Sequence, residues 1–154
     1  MSKTGAIDVD LSQFKKKMAK LSRTAQGDAL LETLDAGARV IQANAMINAN
    51  EVFSDKATNT LANSIIVESE GRGKKVSANI GPTVAYGRIH ELGGIIKPVV
   101  AKMLHFVVDG VEVFANVVHM PARPYLRPAV DGHENEIKDA MFVTLKRKID
   151  EALK

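Results

Sequence analysis

A long run of apolar residues at helical spacing is the feature that most constrains how this chain can fold. Between residues 30 and 52 apolar side chains recur every three or four positions, at Leu30, Leu34, Ala38, Ile41, Ala45, Ala49 and Val52. This is the period of one face of an α-helix, sustained over about six turns. Asp28 is suited to cap the start of that helix. The pattern therefore predicts a long amphipathic helix whose apolar face needs a partner.

Two strand-turn-strand patterns follow the predicted helix. Residues 64–81, SIIVESEGRGKKVSANIG, place β-rich runs on both sides of a glycine-containing turn, and residues 104–118, LHFVVDGVEVFANVV, contain the pair Asp109 and Gly110. Asp-Gly is favoured in type I′ hairpin turns, because both turn positions need positive φ angles. We expect an antiparallel sheet of about four strands, made of two hairpins.

Glycines and prolines mark the other element boundaries. Residues 83–92, TVAYGRIHEL, predict a short helix, and Gly93, followed by Gly94, suits the position just past a helix end. Each proline in MPARPYLRPAV, residues 120–130, disfavours helix for its predecessor, so residues 120–127 are expected to be extended. A last helix is expected from near Pro128, with its apolar stripe at Val130, Ile137, Met141, Leu145 and Ile149. The expected class is α+β, with the sheet packed against a long N-terminal helix and a C-terminal helix.

Length and composition bound the domain organisation and the function classes. A chain of 154 residues fits one folding unit, which we place at residues 28–154, after a short basic helix and linker at residues 1–27. The lack of cysteine excludes disulfides and thiolate metal sites. No apolar run approaches the ~18 residues that span a bilayer, so we expect a soluble protein made in the cytoplasm. Possible DNA contacts are Lys15, Lys16, Lys17 and Lys20.

His90 and Glu91 begin like the H-E-x-x-H motif of zinc proteases. In that motif two histidines one helical turn apart bind the metal and the glutamate activates water. Gly94 stands where the second histidine is needed, and glycine has no side chain to ligate zinc. The tract GRGKK, residues 71–75, likewise lacks the spacing of a phosphate-binding Walker loop. We therefore predict no enzymatic activity, no metal and no cofactor.

The order of several short motifs resembles the neck and tail-completion proteins of long-tailed bacteriophages. In that family a short helix ending in H-E-x-G-G or E-x-G is followed by a KAKxLxF-like segment, a hairpin, PARPFLRPA and a closing helix. The matching positions here run from about residue 28 onward: Tyr86, His90, Glu91, Gly93 and Gly94; Ala101, Lys102, Leu104 and Phe106; and Pro121, Ala122, Arg123, Pro124, Tyr125, Leu126, Arg127 and Pro128. Tyr125 replaces the usual phenylalanine.

The resemblance implies a structural virion protein rather than an enzyme. It implies a homo-oligomeric ring, six-fold or twelve-fold, that joins the DNA-filled head to the tail in the phage neck. The partners would be adaptor proteins on the connector and terminator or tube proteins of the tail, with transient contact to packaged DNA. A tail-completion or tail-terminator protein that caps the tail tube is the alternative, and a nucleic-acid-binding module using the lysine cluster is a third hypothesis.

A proline-stiffened strand carrying arginine and tyrosine has the residue types of interface hot spots. Expected subunit or partner contacts are Tyr86, His90, Glu91, Arg123, Tyr125 and Arg127. Expected turn or stiffening positions are Gly93, Gly94, Asp109, Gly110, Pro121, Pro124 and Pro128. A second interpretation is equally open for Tyr125 and Leu126, which would instead fasten the last helix to the sheet within one subunit.

Overall fold

The structure is a computed structural model that describes residue 19 and residues 23–52, 59–73 and 75–152. The elements in chain order are α1 (Arg23–Val52), α2 (Thr60–Asn63), β1 (Ile65–Arg72), β2 (Lys75–Pro82), α3 (Gly87–Leu92), β3 (Gly94–Ile96), β4 (Leu104–Val108), β5 (Val111–Ala115), β6 (Val118–Met120), α4 (Leu126–Asp131) and α5 (Glu134–Ala152). The predicted α+β class is confirmed, with a long helix, antiparallel hairpins and a C-terminal helix.

Helix α1 is the predicted long helix, but it begins earlier than the sequence suggested. Its first residue is Arg23, so Asp28 lies inside the helix and does not cap it. Gly27, expected in a linker, is buried in α1, where a Cβ atom would lie 2.5 Å from the backbone nitrogen of Gly73. One internal glycine costs a helix only about 1 kcal/mol, and packing against the hairpin offsets that cost.

The four lysines proposed for DNA contact, Lys15, Lys16, Lys17 and Lys20, lie outside the described residues, as does most of the predicted basic helix. The domain boundary at residue 28 therefore stays a prediction.

Within the described residues, the strands form three separate two-stranded antiparallel ladders rather than one sheet of about four strands. Both predicted hairpins are present, as β1 with β2 and β4 with β5. Asp109 and Gly110 have φ angles of 52° and 82°, which confirms the expected turn with two positive values. The third ladder pairs β3 with β6 and joins Gly94 to Met120. Strands of three residues carry too little alternation to be recognised from sequence.

The core lies where α1 meets α2, the first hairpin and α4. Small side chains on one stripe of α1 let these elements approach closely, and three of them, Ala38, Ala45 and Ala49, belong to the predicted apolar face. Within the described residues, the largest fully buried side chains are Tyr125 and Ile65. The core cluster consists of Ala45, Ala49, Leu61, Ala62, Ile65, Tyr125 and Ala129.

The C-terminal region holds two helices where the sequence suggested one. Helix α4 begins at Leu126, within the stretch expected to be extended, and Pro128 occupies its third position. The first N–H groups of a helix have no intrahelical acceptor, so proline is tolerated there. Gly132 and His133 separate α4 from α5, which packs antiparallel along α1. Lys148 Nζ lies 2.6 Å from Glu32 Oε1 across that contact.

Candidate functional site

Glu91 fastens the start of α4 to the end of α3. Its carboxylate accepts backbone hydrogen bonds from Tyr125 at 2.7 Å, Leu126 at 2.9 Å and Arg127 at 3.0 Å. These N–H groups lie at the helix start, where no intrahelical acceptor exists and where the helix dipole favours a negative charge. Tyr125, at the N-cap, makes no side-chain cap of its own. A carboxylate distant in sequence therefore caps this helix.

Further contacts complete what we call the Glu91 clamp, the junction of α3 with residues 123–127. The backbone N–H of Arg123 donates to the carbonyl of His90 at 2.7 Å. The hydroxyl of Tyr125 donates to the carbonyl of Gly87 at 3.2 Å, and Asn48 on α1 donates to the carbonyl of Tyr125 at 3.0 Å. The two motifs H-E-x-G-G and P-A-R-P-Y-L-R-P are thus the two halves of one intramolecular contact.

Burial changes the protonation equilibria inside the clamp. Removal of Tyr125 from water, together with the nearby Glu91 carboxylate, raises the pKa of the phenol to about 12. Burial, with a smaller contribution from the neighbouring Arg123 guanidinium, lowers the pKa of His90 below its usual value. Both shifts favour the neutral form of the side chain, because removal from water disfavours the charged form.

The structure separates the predicted contact residues into two groups. Tyr125 is fully buried in the chain's own core, so its prediction as a direct subunit contact is corrected in favour of the intramolecular interpretation. Glu91 is engaged by α4, and His90 beside it is half-buried. Tyr86, Arg123 and Arg127 are exposed, and their proposed role as contacts stays a prediction.

Both oxygens of Glu91 are occupied by backbone N–H groups, which gives this residue a structural use in place of the water activation of a zinc protease. Within the described part of the chain, no group of three or more histidine, aspartate or glutamate side chains is arranged to hold a metal ion.

Glycines and prolines of the predicted turn set lie at the edges of the clamp and at the hairpin turn. Gly93 ends α3 with φ of 68°, and a Cβ atom there would lie 2.8 Å from the backbone nitrogen of Ala122. Gly94 opens strand β3. Pro121 and Pro124 are exposed on the segment that leads into the clamp.

An apolar arm lies in the sequence between the two halves of the clamp. We define the hairpin arm as the loop of residues 97–103 together with β4 and β5. Val99 and Val100 in the loop are 96% and 98% exposed, and Val107, Val111 and Phe114 on the strands are more than half exposed. The strands β4 and β5 pack mainly against each other. Most of the arm's apolar surface therefore faces solvent.

A second exposed apolar surface lies on α5. Phe142 is 61% exposed and Val143 is 66% exposed, on the side of the helix that faces away from α1. The sequence patterns did not point to Phe142 and Val143, nor to Val99 and Val100 of the loop, although Ala101 and Lys102 of the same loop belong to the motifs of the resemblance. The available signal was weak: Phe142 and Val143 fall outside the apolar stripe of their helix, and Val99 and Val100 follow a proline in a stretch that has no strand partner.

Comparison with known protein families finds a match for this chain. The model of the HK97-gp10-like family, described as "Bacteriophage HK97-gp10, putative tail-component", matches residues 12–93, which is more than half of the chain. No curated protein matches the chain, and no solved structure matches it. None of the described helices combines the length and apolarity needed to cross a membrane.

Proposed function

Because the chain belongs to the HK97-gp10-like family of phage tail components, we propose that it is a non-enzymatic structural protein of the virion. In this proposal it forms a homo-oligomeric ring in the phage neck and joins the connector side of the DNA-filled head to the tail. The matched region contains α1, the first hairpin and α3, so it includes the half of the clamp that holds Glu91. The second half of the clamp and the hairpin arm lie beyond the matched residues.

The hairpin arm is the observation that carries the proposal. An isolated two-stranded hairpin is marginally stable in water, and large exposed apolar patches on soluble proteins mark interaction sites. In this chain both ends of the arm are anchored, because β3 pairs with β6 and Glu91 on α3 is hydrogen-bonded to residues 123–127. An anchored hairpin with exposed apolar side chains is suited to a protein whose apolar surface is covered by neighbouring protein molecules.

A tail-terminator protein that caps the tail tube is the second candidate. The description of the family as a tail component favours this position, because it assigns the protein to the tail rather than to the head. Both candidates require the same kind of subunit, with one surface for its neighbours in a ring and another for the next ring of the virion.

Electron microscopy of particles assembled with and without the protein tests the proposal. If the protein joins heads to tails, its omission leaves full heads and separate tails, and its addition gives ring density between them. If it caps the tube, omission changes the tails themselves, with tubes of uncontrolled length and no terminal ring. Normal joining and normal tails without the protein would contradict both, and would direct attention to DNA binding by the lysine cluster, measured as salt-dependent affinity.

A further inference from the structure

Residues 97–103 form an exposed segment that combines apolar and basic side chains. Val99 and Val100 are almost fully exposed, and Met103 is 41% exposed. Lys97 and Lys102 flank the two valines and are exposed as well. No acidic residue occurs between Glu91 and Asp109. Pro98 restricts the backbone before the valines, which lowers the entropy lost when such a segment docks. The segment therefore suits a surface that is apolar and acidic.

The outer face of α5 has those properties. Asp139 lies one helical turn before both Phe142 and Val143, and Glu136 lies one turn further toward the N-terminus. All four side chains are exposed. Lys138 is also exposed, one turn before Phe142, but it is paired with Glu134 at 3.0 Å, so the half of the face before Val143 keeps a net negative charge, and Lys146 follows beyond it. It thus presents two apolar side chains beside two carboxylates, opposite in charge to the two lysines of the loop.

We infer that the loop of residues 97–103 docks on the outer face of α5 of a second copy of this chain. The two surfaces are different and complementary, and both belong to one chain, so each copy offers a donor surface and an acceptor surface. Such head-to-tail contacts generate a ring when the rotation between copies closes. Val99 and Val100 would be covered by Phe142 and Val143, while Lys97 and Lys102 face Glu136 and Asp139. The charge pairs chiefly set orientation, since exposed ion pairs add little affinity.

This inference rests on the proposed ring, and it names the surfaces that the copies use. Site-directed cross-linking tests it cleanly, because the chain contains no cysteine. Val100→Cys and Val143→Cys are made in separate proteins, one of which carries a size tag, and the mixture is oxidised. We expect a mixed cross-linked dimer in several-fold excess over the control mixture of Ser77→Cys with Val143→Cys. Ser77 is an exposed residue of the first hairpin and has no place in the inferred contact.

Charge reversal provides the second measurement on the full chain. Lys97→Glu with Lys102→Glu is expected to reduce self-association and the yield of the mixed cross-link. Glu136→Lys with Asp139→Lys, supplied on the other copy, is expected to restore both. All four positions are exposed, so the variants should keep their fold, which circular dichroism verifies.

The outcomes separate the inference from the proposed function. Equal cross-link yields in the test and control mixtures at every protein concentration would overturn the inferred contact. If the protein nevertheless forms oligomers by light scattering, the ring stands and other surfaces build it. A third outcome is that the cross-link does not form and the cysteine of Val100→Cys is protected from thiol modification only when tail protein is added. In that case the loop docks on the tail protein, and the inference is wrong.

Discussion

At the scale of single residues, Glu91 resolves the ambiguity of the H-E pair. The sequence presents this glutamate beside a histidine, as zinc proteases do, yet its oxygens accept hydrogen bonds from three backbone N–H groups at the start of α4. Charge-assisted hydrogen bonds of this kind contribute more than neutral ones. The same residue type in the same local pattern therefore serves folding here, and the distinction is visible only once residues 125–127 are placed.

Glu91→Gln is expected to destabilise the protein by about 1–3 kcal/mol. The amide removes the negative charge, and its NH₂ group replaces one accepting oxygen and faces backbone N–H groups to which it cannot hydrogen-bond. Urea denaturation of both proteins measures the difference in the free energy of unfolding. Glu70→Gln is the matched control, an exposed glutamate on β1 whose replacement should change stability by less than about 0.5 kcal/mol. Equal effects of the two substitutions would contradict the capping role.

Tyr125 is expected to make stability decline at alkaline pH. Its pKa is raised from 10.0 to about 12 in the folded protein, so between these values the unfolded chain loses the proton while the folded chain retains it. The contribution of this phenol to stability is therefore fully present below pH 10 and is lost as pH rises toward 12, by up to about 1.4 kcal/mol per pH unit within that window.

The measurement is the free energy of unfolding from pH 8 to 12 for the natural chain and Tyr125→Phe. The variant should lose about 1 kcal/mol at neutral pH, since the Gly87 carbonyl loses its donor, but it should lack the alkaline decline due to this phenol. Tyr86→Phe, at an exposed tyrosine, is the control. An alkaline decline identical in all three proteins would show that Tyr125 does not cause it.

At the scale of elements, close backbone approach decides where small residues are required. Two glycines lie inside α1 and differ in what surrounds them. At Gly27 a Cβ atom would collide with the backbone of Gly73, whereas at Gly37 it would meet the flexible side chain of Met141 at 2.8 Å. A glycine in a helix is thus informative only when its neighbours are known.

Gly27→Ala is expected to destabilise the protein by about 1–3 kcal/mol, because the overlap with the hairpin turn exceeds the roughly 1 kcal/mol gained in helix propensity. Gly37→Ala is the paired substitution in the same helix. There Met141 can move aside, so stability should stay unchanged or rise by up to about 1 kcal/mol. Thermal and urea unfolding measure both changes, and a stabilising effect of Gly27→Ala would show that α1 does not pack against Gly73 as described.

At the scale of the whole molecule, large apolar side chains are distributed unusually between core and surface. The core is built largely from alanines with Tyr125 and Ile65, while valines and phenylalanines of the hairpin arm and of α5 remain exposed. A stable monomer rarely leaves such patches in solvent. This distribution supports the proposal that the exposed apolar surface is covered on assembly, and it agrees with membership of a phage tail-component family.

Self-association is expected to raise the apparent melting temperature as protein concentration rises, because copies that bind only the folded state stabilise it by mass action. Val100→Asp should remove this dependence and leave the melting temperature at low concentration unchanged, since the side chain is 98% exposed. Ser77→Asp is the control and should keep the dependence. A melting temperature of the natural chain that is independent of concentration would contradict the prediction.

Local patterns by themselves determined much of this protein. The period of α1, the Asp109-Gly110 turn and the hairpin signals predicted the helix, both hairpins and the α+β class, because these features depend on interactions between near neighbours in the chain. The ordered motifs also indicated the phage family that the comparison then found. The start of α1 and the break between α4 and α5 were not predicted correctly, since packing there overrides weak local preferences.

Tertiary structure alone decided what the motif residues do. Tyr125 and Glu91 are residue types common in interfaces, but contacts between α3 and the start of α4, more than thirty residues apart in sequence, bury Tyr125 and engage the Glu91 carboxylate within the subunit. The pairing of β3 with β6 and the exposure of Val99, Val100, Phe142 and Val143 were likewise beyond local reasoning. The physical reason is that burial depends on which distant segments meet, and a local pattern does not encode that choice.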